Sequence, residues 1–273
     1  FFNPVQVFQN LVFIVDPPLA GDINIKGFIP SSYPYSSNYP GGDTIVLKAL
    51  ASAGYEFKNW QLQNHTIAPS ATDSIGSFIL ANSDTVIAHF DKKRLLTFIV
   101  DTPGAGNIKI NGIIPPSYPY TAIYTEGITM NIEALANSGY VFKNWEEQNH
   151  TILPTDNDSI ANFVLGNNDT IIAHFRKKHL LTIIIDTLFA GDVKINGFIP
   201  PSYTYNGEYA DSSLINLTAI AASGYVFKNW ELKNHNVSPG ASDSVVFFLL
   251  TTSDTIIAHF RKKHLLTIII DTL

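Results

Sequence analysis

The chain has 273 residues, of which 45% are hydrophobic and 15% are charged, and its formal net charge is −6. This composition provides enough apolar side chains for packed cores and excludes a chain kept disordered by its charge. The acidic balance argues against nucleic acid as a partner, because such proteins bind through a broad basic surface. Cysteine is absent, which excludes disulfides, thiolate metal ligands and cysteine nucleophiles.

Hydrophobic runs are short throughout the sequence. None approaches the roughly 20 apolar residues that a membrane-spanning helix needs, so we expect no membrane span. The first four residues, Phe-Phe-Asn-Pro, have neither the basic start nor the apolar core of a signal peptide. If the protein is exported, we expect its leader to lie outside this sequence.

The sequence repeats itself at a fixed interval. Phe-Lys-Asn-Trp places its tryptophan at positions 60, 145 and 230, which are 85 residues apart, and Ala-His-Phe keeps the same interval. We predict repeats at 11–95, 96–180 and 181–265. Residues 1–10 are assigned to a preceding segment. Residues 266–273 are assigned to the start of a fourth repeat, because they match the eight residues that begin at Leu181.

The patterns within one repeat are typical of β-strands. Apolar and polar residues alternate from Asp192 to Gly197, and the β-branched and aromatic runs 245–250 and 255–260 are separated by the turn sequence Thr-Thr-Ser-Asp. No window of a dozen residues has a helical stripe. We therefore predict an all-β fold, a tandem array of small antiparallel β modules of about 85 residues. Each module is expected to be β-grasp-like or a small sandwich.

The segments between repeats predict a stiff connection. Around Arg176 to His179 the alternation of apolar and polar residues almost continues, and the segment has neither glycine nor proline. Flexible linkers are rich in glycine and serine. We therefore expect the array to be rod-like.

Each repeat contains Gly-Tyr-x-Phe-x-x-Trp followed by Asp-Thr-x-x-Ala-x-Phe. In the third repeat the carrying residues are Gly224, Tyr225, Phe227, Trp230, Asp254, Thr255, Ala258 and Phe260. This order resembles the divergent InlB B-repeat family. The resemblance implies bacterial, extracellular β modules that serve as spacers or adhesive stalks and share no catalytic residues.

The resemblance favours a structural role. It implies a stalk of a secreted or cell-surface bacterial protein that extends an adhesive or functional tip, without cofactors. Its partners would be neighbouring repeats, and surface glycans or other cell-surface proteins. The sequence has no Gly-rich phosphate loop, Gly-x-Ser-x-Gly or His-Glu-x-x-His motif, and a catalytic site is not normally copied with every repeat. We therefore expect no enzymatic activity.

A cluster of tyrosines in each repeat suggests an alternative function. Aromatic rings on a proline-stiffened loop could stack on sugars, which would make the chain a multivalent carbohydrate-binding array, or they could cover the edge of their own domain. A stalk would bury these rings at repeat junctions, and a lectin would leave a groove open. The residues are Tyr33, Tyr35, Tyr39, Tyr118, Tyr120, Tyr124, Tyr203, Tyr205 and Tyr209.

Three further patterns recur with the repeat. Trp60, Trp145 and Trp230 are predicted to be the main core residues of their repeats. The histidines recur singly, without the His/Asp/Glu clustering of a metal site, so no metal is expected. Basic runs at 92–94, 176–178 and 261–263 could bind acidic glycans or protect sheet edges from pairing.

The triplet of Asp, Ser or Thr, and an aliphatic residue occurs many times. It resembles the O-glycosylation sequon of exported Bacteroidota proteins, a group whose gliding and adhesion proteins the sequence also resembles. Asp followed by Ser or Thr is equally the start of many turns, so both interpretations stay open. The candidate hydroxyls are Thr44, Ser74, Thr85, Ser159, Thr170, Thr187, Ser244 and Thr255.

Overall fold

The computed structural model describes residues 6–202, 204–264 and 266–268, and these residues form 19 β-strands and no helix. The first strands are β1 Phe8–Asp16, β2 Gly21–Ile25, β3 Tyr35–Pro40, β4 Thr44–Ala51, β5 Tyr55–Leu62, β6 Ile75–Ile79 and β7 Asp84–Val100. They are followed by β8 Gly106–Ile110, β9 Tyr120–Thr125, β10 Thr129–Ala136, β11 Tyr140–Glu146, β12 Ile160–Val164 and β13 Asp169–Ile185. The last are β14 Gly191–Ile195, β15 Tyr205–Ala210, β16 Ser213–Ala221, β17 Tyr225–Leu232, β18 Val245–Leu250 and β19 Asp254–Lys262.

Each repeat is a two-layer sandwich, which we call unit 1, unit 2 and unit 3 in chain order. In unit 1 one layer is the four-stranded sheet β3-β1-β7-β5, and the other is the three-stranded sheet β2-β4-β6. Units 2 and 3 repeat both layers with the equivalent strands. The all-β tandem array predicted from the sequence is confirmed, with the module built as a small sandwich.

One pair of strands in each unit departs from the predicted antiparallel arrangement. The first and last strands, β1 and β7 in unit 1, are parallel neighbours, with Leu11 opposite Asp84 and Asp16 opposite His89. The same holds for β7 with β13 and for β13 with β19. The reason is topological, because a chain that enters each unit at one end and leaves at the other must run the same way in both strands.

Two long strands connect the three units. β7 and β13 each have 17 residues, and the last strand of one unit continues in each as the first strand of the next. The predicted repeat boundaries at 95/96 and 180/181 fall inside these strands. The connection between units is therefore continuous β-structure.

The three hydrophobic cores are separate and lie between the layers. In unit 1 the core includes Leu11 and Val86 from the four-stranded sheet and Ile23 and Leu47 from the three-stranded sheet, all fully buried. Alternation explains this, since every second residue of a strand points to the same face. The core of unit 2 runs from Leu96 to Phe175 and that of unit 3 from Leu181 to Phe260.

A glycine begins the second strand of every unit because the neighbouring atoms leave no room for a side chain. A Cβ on Gly106 would lie 2.6 Å from the Leu135 carbonyl oxygen and 2.5 Å from the Phe175 ring. Gly21 and Gly191 are equally confined. This crowding explains the Ala-Gly pair that starts the second strand of each unit.

Among the described residues there is no helix that could cross a membrane.

Candidate functional site

The three units are connected within β7 and β13, and we call each of these two connections a junction. At the first junction the amide of Glu126 in unit 2 donates to the carbonyl of Lys92 at 2.8 Å, and Leu95 donates to the Asn168 side chain at 2.8 Å. At the second junction Asp211 donates to the Lys177 carbonyl at 2.6 Å. A backbone hydrogen bond from the following unit thus lies at each junction, and at the first junction the Asn168 side chain adds another.

The basic runs at 92–94 and 176–178 lie at these junctions and form ion pairs with the following unit. Arg94 Nε lies 2.8 Å from Glu126, and Lys93 contacts both Glu56 of unit 1 and Thr125 of unit 2. Partly exposed pairs of this kind contribute little energy individually. Arg94 with Glu126 and Lys93 with Thr125 link residues from both sides of the junction, whereas Lys93 and Glu56 both belong to unit 1.

The second junction repeats this arrangement with different residues. Lys178 lies 3.0 Å from Glu208, and His179 Nε2 lies 2.9 Å from Asp211. The hydrogen bond from His179 holds the pKa of the Asp211 carboxyl below its ordinary value, with help from the Ser212 hydroxyl. In the third basic run, Arg261 and Lys262 end β19 and Lys263 follows it. All three residues are exposed.

The repeated tryptophans lie in the centre of the cores. Trp60, Trp145 and Trp230 are 2%, 1% and 2% exposed. Each indole Nε1–H donates to the carbonyl of an aspartate 13 residues later, at 2.9 Å in the case of Trp145 and Asp158. The ring therefore fills the core and also fastens the long loop between the fifth and sixth strands of the unit.

The asparagine that precedes each tryptophan has a local role that the sequence did not reveal. Asn144 Nδ2 donates to the carbonyl of Trp145 at 2.6 Å, and Asn59 and Asn229 do the same in their units. A β-bulge lies between Phe142 and Asn144, where the pairing with β13 shifts register. The amide thus satisfies a carbonyl next to an irregular ladder.

A buried aspartate organises one loop in every unit. In unit 2, Asp169 accepts hydrogen bonds from the backbone amides of Gln148, Asn149 and Thr170 and from His150 Nδ1 at 2.7 Å. Asp84 and Asp254 make the equivalent contacts in units 1 and 3. We call each such set the Asp–His clasp.

The hydrogen bonds of the clasp favour the charged form of its aspartate. Burial acts to raise the pKa of the Asp169 carboxyl, but the hydrogen bonds from His150 and the amides outweigh it, and the pKa is lowered. Nε2 of His150 accepts from the backbone amide of Gly166 at 3.1 Å, so the proton lies on Nδ1. Because both ring nitrogens are engaged and the ring is buried, this histidine is not placed to act as a general base.

A second histidine in each unit lies on the outer face of the four-stranded sheet. His174 lies 2.9 Å from Asp101 through Nδ1 and 2.9 Å from Glu146 through Nε2. His259 has the same partners in unit 3, Asp186 and Glu231. In unit 1, His89 meets Asp16 and the neutral Gln61 instead.

These contacts bring histidine and carboxylates together more closely than the sequence suggested. The partners are 28 and 73 residues apart in the chain, so only strand pairing could reveal them. Within the described ranges no group of three His, Cys, Asp or Glu side chains is arranged to hold a metal ion. In units 2 and 3 each cluster connects two neighbouring strands and the residue directly after a third.

The tyrosines pack against the core of their own unit, and two of them, Tyr124 and Tyr209, do so beside a junction, opposite Arg94 and His179. All eight described members of the predicted set are partly buried against these cores; the ninth, Tyr203, lies outside the described residues. Tyr33 Oη accepts from the amide of Ile23 at 2.6 Å and donates to its carbonyl at 3.2 Å. Tyr118 does the same with Ile108 at 2.6 and 2.7 Å.

These bonds cover an exposed sheet edge. β2 and β8 are edge strands, and a tyrosine hydroxyl occupies the two backbone groups at the centre of each. Burial is the main cause that raises the pKa of the Tyr33 and Tyr118 hydroxyls. In unit 3 the hydroxyls of Tyr205 and Tyr209 lie 3.2 Å apart, and burial again raises the pKa of Tyr209.

The candidate O-glycosylation hydroxyls fall into two groups. Thr85, Thr170 and Thr255 lie half-buried on long central strands, directly after the clasp aspartate, and Thr187 is half-buried in a turn. Thr44, Ser74, Ser159 and Ser244 are exposed. The three serines follow the aspartate whose carbonyl accepts the tryptophan hydrogen bond, so they protrude from a fastened loop.

The sequence matches the family described as divergent InlB B-repeat domain at residues 31–94, 111–179 and 194–264. A search of curated proteins gives no match. Among solved structures, the chain is similar to the pilus adhesin SpaC from Lactobacillus rhamnosus GG in its open conformation, with TM-score 0.29, 8% identity, and coverage of 96% of this chain and 44% of SpaC. It is also similar to BcpA, the major pilin subunit of Bacillus cereus, with TM-score 0.27, 8% identity, and coverage of 94% of this chain and 100% of BcpA. The chain thus spans less than half the length of SpaC, and neither similarity is close enough to indicate a function.

Proposed function

This chain belongs to the divergent InlB B-repeat domain family, and we propose that it is a load-bearing stalk of a secreted or cell-surface bacterial protein that extends an adhesive or functional tip. The observation that carries this proposal is the pair of 17-residue strands that join the units without a break. Such a connection transmits orientation and force from one unit to the next.

The strand order within a unit suits a chain that is pulled at its two ends. Force enters unit 1 at the start of β1 and leaves through β7, and these strands are parallel neighbours from Leu11 to Asp16 and from Asp84 to His89. Pulling them in opposite directions slides them along each other. The evenly spaced bonds of the parallel ladder are then loaded together and do not open one at a time.

The side chains that resemble catalytic groups have structural tasks. The Asp–His clasp fastens a loop to a turn, and the outer histidines tie strands together. This arrangement supports a non-enzymatic role. The half-buried tyrosines support the edge-covering role over stacking of sugars on the tyrosine rings, since Tyr33 and Tyr118 already use their hydroxyls within the unit.

Single-molecule stretching tests the load-bearing role. The chain has no cysteine, so two introduced cysteines define where force is applied. With attachment at Val7→Cys and His264→Cys, we expect three separate unfolding events, each releasing about 25 to 30 nm for about 85 residues at roughly 3.5 Å per residue.

The matched control changes the direction of force in the same protein. Attachment at Val7→Cys and Asn64→Cys pulls unit 1 through the loop after β5, which opens the edge of the sheet bond by bond. We expect unit 1 to unfold at lower force in this geometry. Equal forces in both geometries, or gradual extension without separate events, would contradict the proposal.

We further propose that exposed serines carry O-linked glycans in the native protein, at Ser74, Ser159 and Ser244. Support comes from their exposure at turns that the tryptophan hydrogen bond holds in place. Glycans there would shield the stalk from proteases. Intact-mass analysis with peptide mapping of protein from its natural source should show added hexose mass at these peptides, and an unmodified mass would disprove the proposal.

A further inference from the structure

The turn between the first and second strands has the same shape in all three units. Ala20 donates to the Pro17 carbonyl at 3.1 Å, and Ala105 and Ala190 make the equivalent bonds at 3.0 and 3.1 Å. The residue before each alanine has a positive φ, which is 69° for Leu19, 79° for Gly104 and 61° for Phe189. A hydrogen-bonded turn with positive φ at this position normally requires glycine.

Only unit 2 has the expected glycine. Units 1 and 3 have Leu19 and Phe189, side chains that strain the backbone in this region. These side chains are also 90% and 84% exposed, and Leu188 beside Phe189 is 75% exposed. The same position thus combines backbone strain with exposed apolar surface in two units, and neither property stabilises the fold.

Each of these side chains forms one wall of a groove, which we call the turn groove. In unit 1 it has a volume of about 390 Å³ and is lined by Ile14, Pro18, Leu19, Asp22, Ser32 and Tyr33, among others. In unit 3 the corresponding groove has about 470 Å³ and is lined by Ile185, Leu188, Phe189, Asp192, Pro201 and Ser202, among others. These volumes lie in the range of small-molecule sites.

Two polar side chains of each turn groove make no hydrogen bond or ion pair within the part of the chain that the structure describes, whereas the Tyr33 hydroxyl of unit 1 is already bonded to Ile23. The carboxylates of Asp22 and Asp192 and the hydroxyls of Ser32 and Ser202 are exposed and make no hydrogen bond or ion pair there. An exposed apolar side chain, an acceptor carboxylate and a hydroxyl therefore line the same groove. Unit 2 has Gly104 and Asn107 in place of the apolar wall and the carboxylate.

We propose that the turn grooves of units 1 and 3 bind a neutral saccharide. A pyranose has an apolar C–H face that packs on an apolar or aromatic side chain such as Leu19 or Phe189, and hydroxyls that donate to a carboxylate. The negative charge of Asp22 and Asp192 disfavours acidic sugars. This inference is independent of the stalk function, because the connection between units is the same whether or not the turn grooves bind a ligand.

Isothermal titration calorimetry of the whole chain with maltotriose, mannotriose and chitotriose tests this proposal, with a hyaluronan tetrasaccharide as the acidic probe. We expect at least one neutral trisaccharide to bind with two sites per chain and the acidic probe not to bind. Failure of all three neutral probes to bind, or equal binding of the acidic probe, would overturn the proposal.

Two double variants separate binding from folding. Leu19→Gly with Phe189→Gly removes the apolar wall and relieves the positive-φ strain, so the thermal midpoint should rise while affinity falls at least tenfold. Asp22→Asn with Asp192→Asn keeps the shape and should also weaken binding at least tenfold. Unchanged affinity in either variant would place the ligand elsewhere.

Unit 2 can be given the groove residues of unit 3, which should create a third binding site in the same chain. Pro103→Leu, Gly104→Phe and Asn107→Asp together give it the groove residues of unit 3 at these positions. We expect the stoichiometry to rise from two sites to three. A stoichiometry that stays at two would show that these residues do not form the binding site.

Discussion

The two layers of the sandwich differ in how far they extend. The four-stranded sheets share β7 and β13, so this layer continues from unit 1 to unit 3. The three-stranded sheets, such as β2-β4-β6, begin and end within one unit. The continuous layer therefore sets the direction of the array, and the interrupted layer closes each core. Stability should be local to a unit, while orientation should be shared between units.

The largest effect should come from emptying one core. Trp145→Ala removes a buried ring from unit 2, and we expect unit 2 to lose about 3 to 5 kcal/mol of unfolding free energy. Units 1 and 3 should stay folded, because their cores are separate and repeats interact mainly with neighbours. Hydrogen exchange resolved by unit measures this, and a single cooperative loss of all three units in calorimetry would contradict local stability.

A smaller effect should follow from weakening one Asp–His clasp, which joins the two layers at a loop. Asp169→Asn keeps the shape but removes the charge that accepts four hydrogen bonds, so we expect unit 2 to lose about 1 to 3 kcal/mol. Denaturant unfolding measures the change. Asp156→Asn, at an exposed position in the same unit, is the control and should have almost no effect.

The smallest effect concerns the outer face of the continuous layer. Burial lowers the pKa of His259, but hydrogen bonds to Asp186 and Glu231 outweigh it, and the pKa is raised above 6.5. The charged histidine thus stabilises unit 3 fully below about pH 6.5, and this contribution is lost as the pH rises through the raised pKa.

Titration of His259 by NMR measures this shift in the whole chain. Glu231→Gln removes one carboxylate and copies the neutral partner found in unit 1, Gln61. We expect the pKa of His259 to fall in this variant while the strand pairing is unchanged. A pKa that does not move would mean that Glu231 contributes nothing to the charge of the ring.

The strands and the period could be predicted because they depend on local pattern. The alternation in β14, the β-branched and aromatic run of β18 and the equal spacing of the tryptophans can be seen without knowledge of strand pairing. The absence of glycine and proline around Arg176 to His179 likewise predicted a stiff connection, and a continuous strand runs through this segment.

The parallel pair and the histidine clusters could not be predicted, because they depend on which strands become neighbours. His174 contacts Asp101, which is 73 residues away in the sequence. No local sequence pattern relates residues that are so far apart. The role of the tyrosines was also left open, since an aromatic residue in a loop has the same sequence whether its hydroxyl faces solvent or, like that of Tyr118, a strand edge. The sequence did carry one signal for the clasp. Its histidine and its aspartate, which are His65 and Asp84 in unit 1, both recur every 85 residues.

Small-angle X-ray scattering tests the central claim, that continuous strands make the array stiff. A 17-residue strand at about 3.3 Å per residue spans about 56 Å, so β7 and β13 together fix the direction of all three units. We predict the scattering of an extended, rigid particle. Insertion of Gly-Ser-Gly-Ser between Lys178 and His179 should make the particle shorter on average and flexible at that point. Scattering of the unaltered chain as freely jointed beads, indistinguishable from the insertion variant, would contradict the account.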